Sequence, residues 1–255
     1  AWIIGGIIMI VCAYVFAVMA TKYDYVNGVV DYAEVTLGKG YGYYMGWFMA
    51  TVYTPAITSV LAWVSARYAA VLFGWDITGG DCMVLAAFFL IANYALNALS
   101  PKIAGKFQVA TTIIKLVPLI LMGVVGLIAG LGSGLTVENF TNVVNPVASR
   151  SGALLTAVCA TAFAYEGWII ATSINAELKD SKKNLPKALV LGTLAIVAIY
   201  ILYYVGLAGV VPNQTLMDGG EAGAKIAFAG VFSQVGGTIL FVFVVISCLG
   251  TLNGL

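Results

Sequence analysis

Residues Gly152 to Lys187 read GALLTAVCATAFAYEGWIIATSINAELKDSKKNLPK. An apolar run of helix length is interrupted halfway by Tyr165-Glu166-Gly167, resumes, and ends in a lysine cluster. Glycine weakens a helix by about 1 kcal/mol relative to alanine. A charge at the centre of a bilayer costs at least about 2.5–3.5 kcal/mol. A membrane helix accepts both together where freed backbone groups line a polar cavity, and paired half-helix ends of this kind hold small charged substrates in secondary transporters. Residues 163–168 are therefore expected to be distorted, between two half-helices of one span.

The rest of the chain agrees with a bilayer setting. Of its 255 residues, 62% are hydrophobic and 9% charged, with a mean hydropathy of +1.00. A soluble domain is nearer a quarter charged. The net charge of +1 gives no electrostatic basis for binding nucleic acid. Histidine is absent, which removes haem ligation, His-based metal sites and Ser-His catalysis together. Cys12, Cys82, Cys159 and Cys248 are scattered with no C-x-x-C and read as buried small apolar residues. The chain opens at Ala1-Trp2-Ile3-Ile4 inside one apolar run and closes at Leu255 inside another, so we expect an internal piece of a longer membrane protein.

Seven segments are long enough to span a bilayer, which needs about 20 residues each. They lie near 1–21, 42–73, 83–99, 109–130, 152–178, 186–211 and 227–255. Continuous apolarity without a period-2 pattern favours helices over barrel strands. Loops 22–41, 100–108 and 179–187 carry Lys22, Lys39, Lys102, Lys106, Lys179, Lys182, Lys183 and Lys187; the alternate loops carry only Arg150 and Lys225. Eight against two places the lysine-rich loops in the cytoplasm, with the first segment running inward. The sequons Asn139-Phe140-Thr141 and Asn213-Gln214-Thr215 then fall on outer loops. Val29 to Leu37 reads as a short amphipathic helix along the inner surface, a candidate gate. Asn184 followed by Pro186 reads as a helix cap and first-turn proline.

Two ionisable residues lie deep in spans, Lys115 and Glu166. Pro118 removes a backbone donor and frees the Ile114 carbonyl near Lys115, which makes Lys115 either a proton-titrating or cation-mimicking site or a fixed cation bonded to a neighbouring helix. The oxygens of Ser247 to Thr251 are its expected partners. Glu166 has three readings: a partner for a substrate ammonium, a carrier of the coupling proton, or a half-helix cap. Phe163, Ala164, Tyr165, Gly167 and Trp168 surround it as candidate substrate contacts, joined by Thr54 on the second segment and Asn253 on the seventh. Thr51, Thr54, Pro55 and Thr58 share a helix face suited to interhelical hydrogen bonding. The small, polar Ser247 to Gly254 stretch suits either close helix packing or a site wall.

At these residues the chain resembles the amino-acid permeases of the amino acid–polyamine–organocation superfamily. Phe163-Ala164-Tyr165-Glu166-Gly167-Trp168, followed by Glu177-Leu178-Lys179-Asp180 and Lys183-Asn184-Leu185-Pro186, is similar to the F-A-Y-G-G-W…E-E-[LV]-x-[ND]-P-x-[KR]-N-L-P run of L-type amino acid transporters and their bacterial relatives. Ser247 to Gly254 resembles the S-C-F-G-S-[LV]-N-G of the eighth helix, and Lys115 matches a lysine common in the fifth. The resemblance covers the second to eighth of about twelve helices. It implies an all-α integral membrane protein, a fragment of the LeuT-like five-plus-five inverted repeat: 1–130 as the first repeat without its first helix, 131–151 as an extracellular loop, and 152–255 as the start of the second repeat. It implies that the substrate ammonium meets unwound carbonyls at the break and that Phe163 is an aromatic gate. Glu166 stands where L-type proteins have glycine, which implies cationic substrates or amines.

The reading that follows is a secondary amino-acid transporter of the cell membrane with a cytoplasmic N-terminus, working by proton symport. Exchange of amino acids or polyamines, and a non-transporting nutrient sensor, are the alternatives. Expected partners are an amino acid or amine, protons and the lipid bilayer, with an accessory subunit left open; no cofactor or metal is expected. An enzyme lacks its motif here: there is no H-E-x-x-H, no aspartate pair within spans and no serine–base pair.

Overall fold

The computed structural model describes residues 1–23, 25–141 and 152–255. Among these every regular element is helical. The elements are α1 (Trp2–Lys22), α2 (Val29–Leu37), α3 (Lys39–Phe48), a π-turn (Met49–Tyr53), α4 (Thr54–Phe73), α5 (Gly80–Leu99), α6 (Pro101–Ser133), α7 (Leu135–Thr141), α8 (Ala153–Tyr165), a 3-10 helix (Trp168–Glu177), α9 (Ser181–Ala208), α10 (Asn213–Gly219) with a short 3-10 turn (Gly220–Ala222), and α11 (Gly223–Asn253). Seven of the described stretches are long and apolar enough to cross a membrane. Large side chains left bare along them, such as Ile7, Val84 and Ile91, form faces that a bilayer would cover. The protein is a multi-pass, all-α membrane protein. Arg150 lies outside the described residues, as do residues 142–151 of the loop expected at 131–151.

The helices form two compact units that do not follow chain order: Ala1–Val52 with Val143–Ile201, and Tyr53–Asn142 with Leu202–Leu255. A packing unit is a different division from a sequence repeat, because it records which helices touch rather than which resemble each other.

In the first unit, α1 packs through small residues. Gly5 and Gly6 admit Thr161, Tyr165 and Val197 so closely that a Cβ at either glycine would collide with them. Ala17 and Ala20 continue the seam against Leu185 and Leu189, with Phe16 and Trp168 packed around them. α2 spans the expected residues and buries Tyr32 and Ala33.

In the second unit, α6 meets the end of α9 with backbone against backbone. Gly126 faces the Gly206 carbonyl, and Gly123 and Gly130 face Leu202 and Gly209. Met122, Val211, Ala227, Phe228 and Leu240 form a core beside this seam.

Several local expectations change. The helix of the fourth segment starts at Pro101, so Lys102 and Lys106 lie on helix rather than in a loop. α9 starts at Ser181, because the Asp180 carbonyl takes the first bonds from Lys183 (2.9 Å) and Asn184 (3.0 Å). Asn184 is therefore not its cap, and Pro186 lies inside the helix. The seventh segment is bent at Phe232 (φ −115°) and Ser233 (φ 67°). The arm before the bend folds back so that Gly237 rests on the Lys225 carbonyl and Ala229. The π-turn has a cause in sequence: Pro55 has no N–H for the Thr51 carbonyl, so the ladder ahead of it slackens. All four cysteines are free thiols, but only Cys82 is buried and Cys159 is exposed.

The two sequon asparagines form a clasp. Asn139 is 8% exposed. Its amide donates to the carbonyls of Ala208 (2.7 Å) and Val211 (2.9 Å) at the end of α9. Its own oxygens accept from Asn213: the side-chain oxygen from the backbone N–H (3.0 Å), the carbonyl from the amide (2.8 Å). Neither amide is free for glycosylation, so the sequons carry no information about orientation. Asn139→Ala strands two buried carbonyls and should lower stability by about 1–3 kcal/mol. A thermal midpoint equal to that of the unmutated protein would show the clasp to be dispensable.

Candidate functional site

The broken span is the centre of the candidate site. α8 ends at Tyr165, and Glu166 takes an extended conformation (φ −67°, ψ 158°). Gly167 has φ 111°, in the region L side chains rarely adopt, so the break is fixed by this glycine. The 3-10 helix then resumes the span. Residues 163–165 remain helical, so the distortion is narrower than 163–168. The last carbonyls of α8 have no intrahelical donors. They form the negative end of a helix dipole, which favours a cation, and Glu166 places an exposed carboxylate beside them.

The side chains around the break divide into two sets. Phe163 is 56% exposed, and Glu166 is exposed with its backbone N–H directed to the Phe163 carbonyl (3.3 Å). Ala164 and Gly167 are half-buried. Tyr165, an expected substrate contact, is instead 4% exposed. Its hydroxyl donates to the Trp2 carbonyl at 3.1 Å, and its ring lies 5.7 Å from Trp2 and 5.4 Å from Tyr200. Trp168 packs edge-on against Phe16 at 5.1 Å. Further along, the buried Asn175 amide donates to the Tyr23 carbonyl (3.0 Å). The structure thus places Phe163 and Glu166 on the open side of the break and Tyr165 and Trp168 in the packing of α1. Trp2, Phe16, Tyr200 and Asn175 were not foreseen, since nothing local marks a partner far along the chain.

The other expected residues have their own settings. Lys115 is half-buried on α6, within electrostatic reach of the Cys248 thiol of α11. Among the described residues its ammonium makes no hydrogen bond to the Ser247–Thr251 oxygens; the Thr251 hydroxyl donates to the Ser247 carbonyl (2.9 Å). Gly250 packs directly on Thr111, so this stretch is a close helix contact. The Thr51, Thr58 and Ser59 hydroxyls bond back to their own helix at Trp47, Thr54 and Ala56, not across helices. Thr54 is half-buried just after the π-turn. Asn253 is a crosslink: its amide donates to the Ala104 carbonyl (3.2 Å) and the Gln108 side chain (3.1 Å), and its side-chain oxygen accepts from Asn97 (3.1 Å). With both ends engaged, Asn253 holds α5, α6 and α11 together.

A family model described as amino acid permease matches residues 1–255. The serine/threonine exchanger SteT of Bacillus subtilis is 31% identical over 255 residues, covering 100% of this chain and 56% of that protein. The b(0,+)-type amino acid transporter 1 of Mus musculus is 26% identical over 255 residues (99% and 52%). The putrescine transporter PotE of Haemophilus influenzae is 27% identical over 260 residues (100% and 57%). The chain spans about half the length of these curated relatives.

Proposed function

The chain belongs to the amino acid permease family, and from that premise we propose that the whole protein carries amino acids or amines across a membrane by alternating access. The observation that supports this most is the break at Glu166-Gly167. It offers freed carbonyls and a carboxylate to a substrate ammonium, and Phe163 stands beside it as a ring able to close over the substrate. In this reading the break belongs to the sixth helix of a five-plus-five inverted repeat, opening the second repeat at 152–255. Residues 1–130 belong to the first repeat. The lysine-rich ends face the cytoplasm and the membrane is that of the cell.

Coupling to protons is the finer part of the proposal. Lys115, half-buried beside Cys248 with no carboxylate partner among the described residues, is the group suited to it. In liposomes holding the whole protein, a pH gradient should drive accumulation of labelled amino acid or amine. Lys115→Ala should abolish that response while leaving one-for-one counterflow. Accumulation that survives the mutation removes Lys115 from coupling. The likeness to a protein named as an exchanger favours a second reading, in which uptake occurs only with substrate inside the vesicle. No movement of any amino acid or amine would overturn transport itself.

A further inference from the structure

We propose that the cavity between the end of the 3-10 helix and the start of α9 binds the phosphate of an anionic lipid headgroup. The cavity has a volume of about 430 Å³ and is lined by Leu178, Asp180, Ser181, Lys182 and Lys183. A water occupies about 30 Å³ of liquid, so a phosphodiester fits. The walls are set by the backbone. Leu178 leaves the 3-10 helix in an extended conformation (ψ 133°), and Asp180 turns the chain in the left-handed region (φ 51°). The Asp180 carbonyl accepts from Lys183 and Asn184, and the Asn184 amide donates to the Lys179 carbonyl (2.7 Å). These bonds hold the backbone and leave the ammonium groups out of it. Lys179, Lys182, Lys183 and Lys187 are exposed, and among the described residues none of them is held in an ion pair.

From Glu177 to Lys187 these four lysines are set against two carboxylates, Glu177 and Asp180, so the stretch attracts an anion. Its depth identifies the source of that anion. α9 carries no charge from Ala188 to its end at Ala208, and this is the part that lies in hydrocarbon. Lys183 to Ala188 is about 7 Å along the axis, at about 1.5 Å per residue. The headgroup layer extends about 5–8 Å beyond the hydrocarbon on each side. The cavity therefore lies at the level of the lipid phosphates, whichever side of the membrane it faces. A phosphate held by Lys182 and Lys183 ties the start of α9 to the end of the 3-10 helix, where Leu178 closes the cavity. The Asp180 carboxylate lines the same space and opposes an anion, so its removal acts in the opposite sense to removal of a lysine.

The test uses the full-length protein in an uncharged detergent, titrated with phosphatidylglycerol or phosphatidylcholine, with bound lipid counted by native mass spectrometry. Phosphatidylglycerol should bind much more tightly than phosphatidylcholine, which has the phosphate but no net charge. Replacing Lys182 and Lys183 together by alanine should weaken phosphatidylglycerol roughly thirtyfold, about fivefold for each lysine beside the headgroup. Lys102→Ala with Lys106→Ala removes the same charge from the start of α6 and should leave the affinity nearly unchanged. Asp180→Asn should tighten binding by up to about fivefold. Asparagine tolerates the left-handed backbone, so this variant serves if the lysine pair is not recovered folded. Glycerol phosphate, the free headgroup, should not displace the lipid. Equal losses at the two lysine pairs would overturn the proposal, as a general attraction between charged surfaces. Equal affinity for the two lipids, or binding that no variant alters, would also overturn it. Displacement by glycerol phosphate would overturn the lipid as the source of the phosphate.

Discussion

Glu166→Gln should weaken binding of cationic amino acids or amines by about ten- to a hundredfold while sparing neutral ones. The change keeps the shape of the side chain and removes its charge, so the loss corresponds to a charge-assisted hydrogen bond of about 1.5–3 kcal/mol. The side chain is exposed at the break, so the fold should be unaffected. Competition against a labelled substrate in liposomes measures this. If Glu166 carries the coupling proton instead, the variant should retain exchange and lose pH-driven accumulation. If it only caps α8, cationic and neutral uptake should fall together with thermal stability. A variant equal to the unmutated protein for both substrate types at every pH would eliminate both functional roles.

Gly126→Val should be the most damaging single change to the fold of the second unit. Its Cα lies against Gly206, where a Cβ would meet the carbonyl oxygen, the carbonyl carbon at 2.7 Å and the Cα at 2.9 Å. All three are backbone atoms, so no rotamer change can make room and the two helices must separate. Gly206 and Gly209 face Gly123 and Gly126 in the same way, so separation at one point opens the whole seam. Overpacking of this kind costs about 1–3 kcal/mol, added here to the lost contact between neighbouring glycines. Gly192 is the internal control. It lies in α9, where an added methyl would meet nothing within 4 Å, and Gly192→Ala should be neutral or stabilising by up to about 1 kcal/mol from helix propensity. The thermal midpoint in detergent should therefore fall for Gly126→Val and not for Gly192→Ala, and a Gly126→Val midpoint matching that of Gly192→Ala would refute the contact.

What could be read directly from the chain was what a few consecutive residues control. Apolar runs mark the spans because burying them in lipid needs no partner. Gly167 marks the break because its backbone freedom belongs to that residue alone, and Val29 to Leu37 shows its helix in its own periodicity. Pro55 also carried a local signal for the π-turn, which helical spacing alone did not reveal. Tertiary structure decided which way each residue at the break faces. Tyr165 and Trp168 have the same local setting as Phe163 and Glu166, yet the first pair packs onto Trp2 and Phe16 and the second stays open. Asn253 and Asn139 read as a substrate contact and a glycan acceptor until partners on other helices claim their amides. The reason is that a side chain's role depends on which donors and acceptors arrive beside it. In this protein those arrive from far along the chain, brought together by glycine and alanine seams whose pairing is settled only when the helices pack.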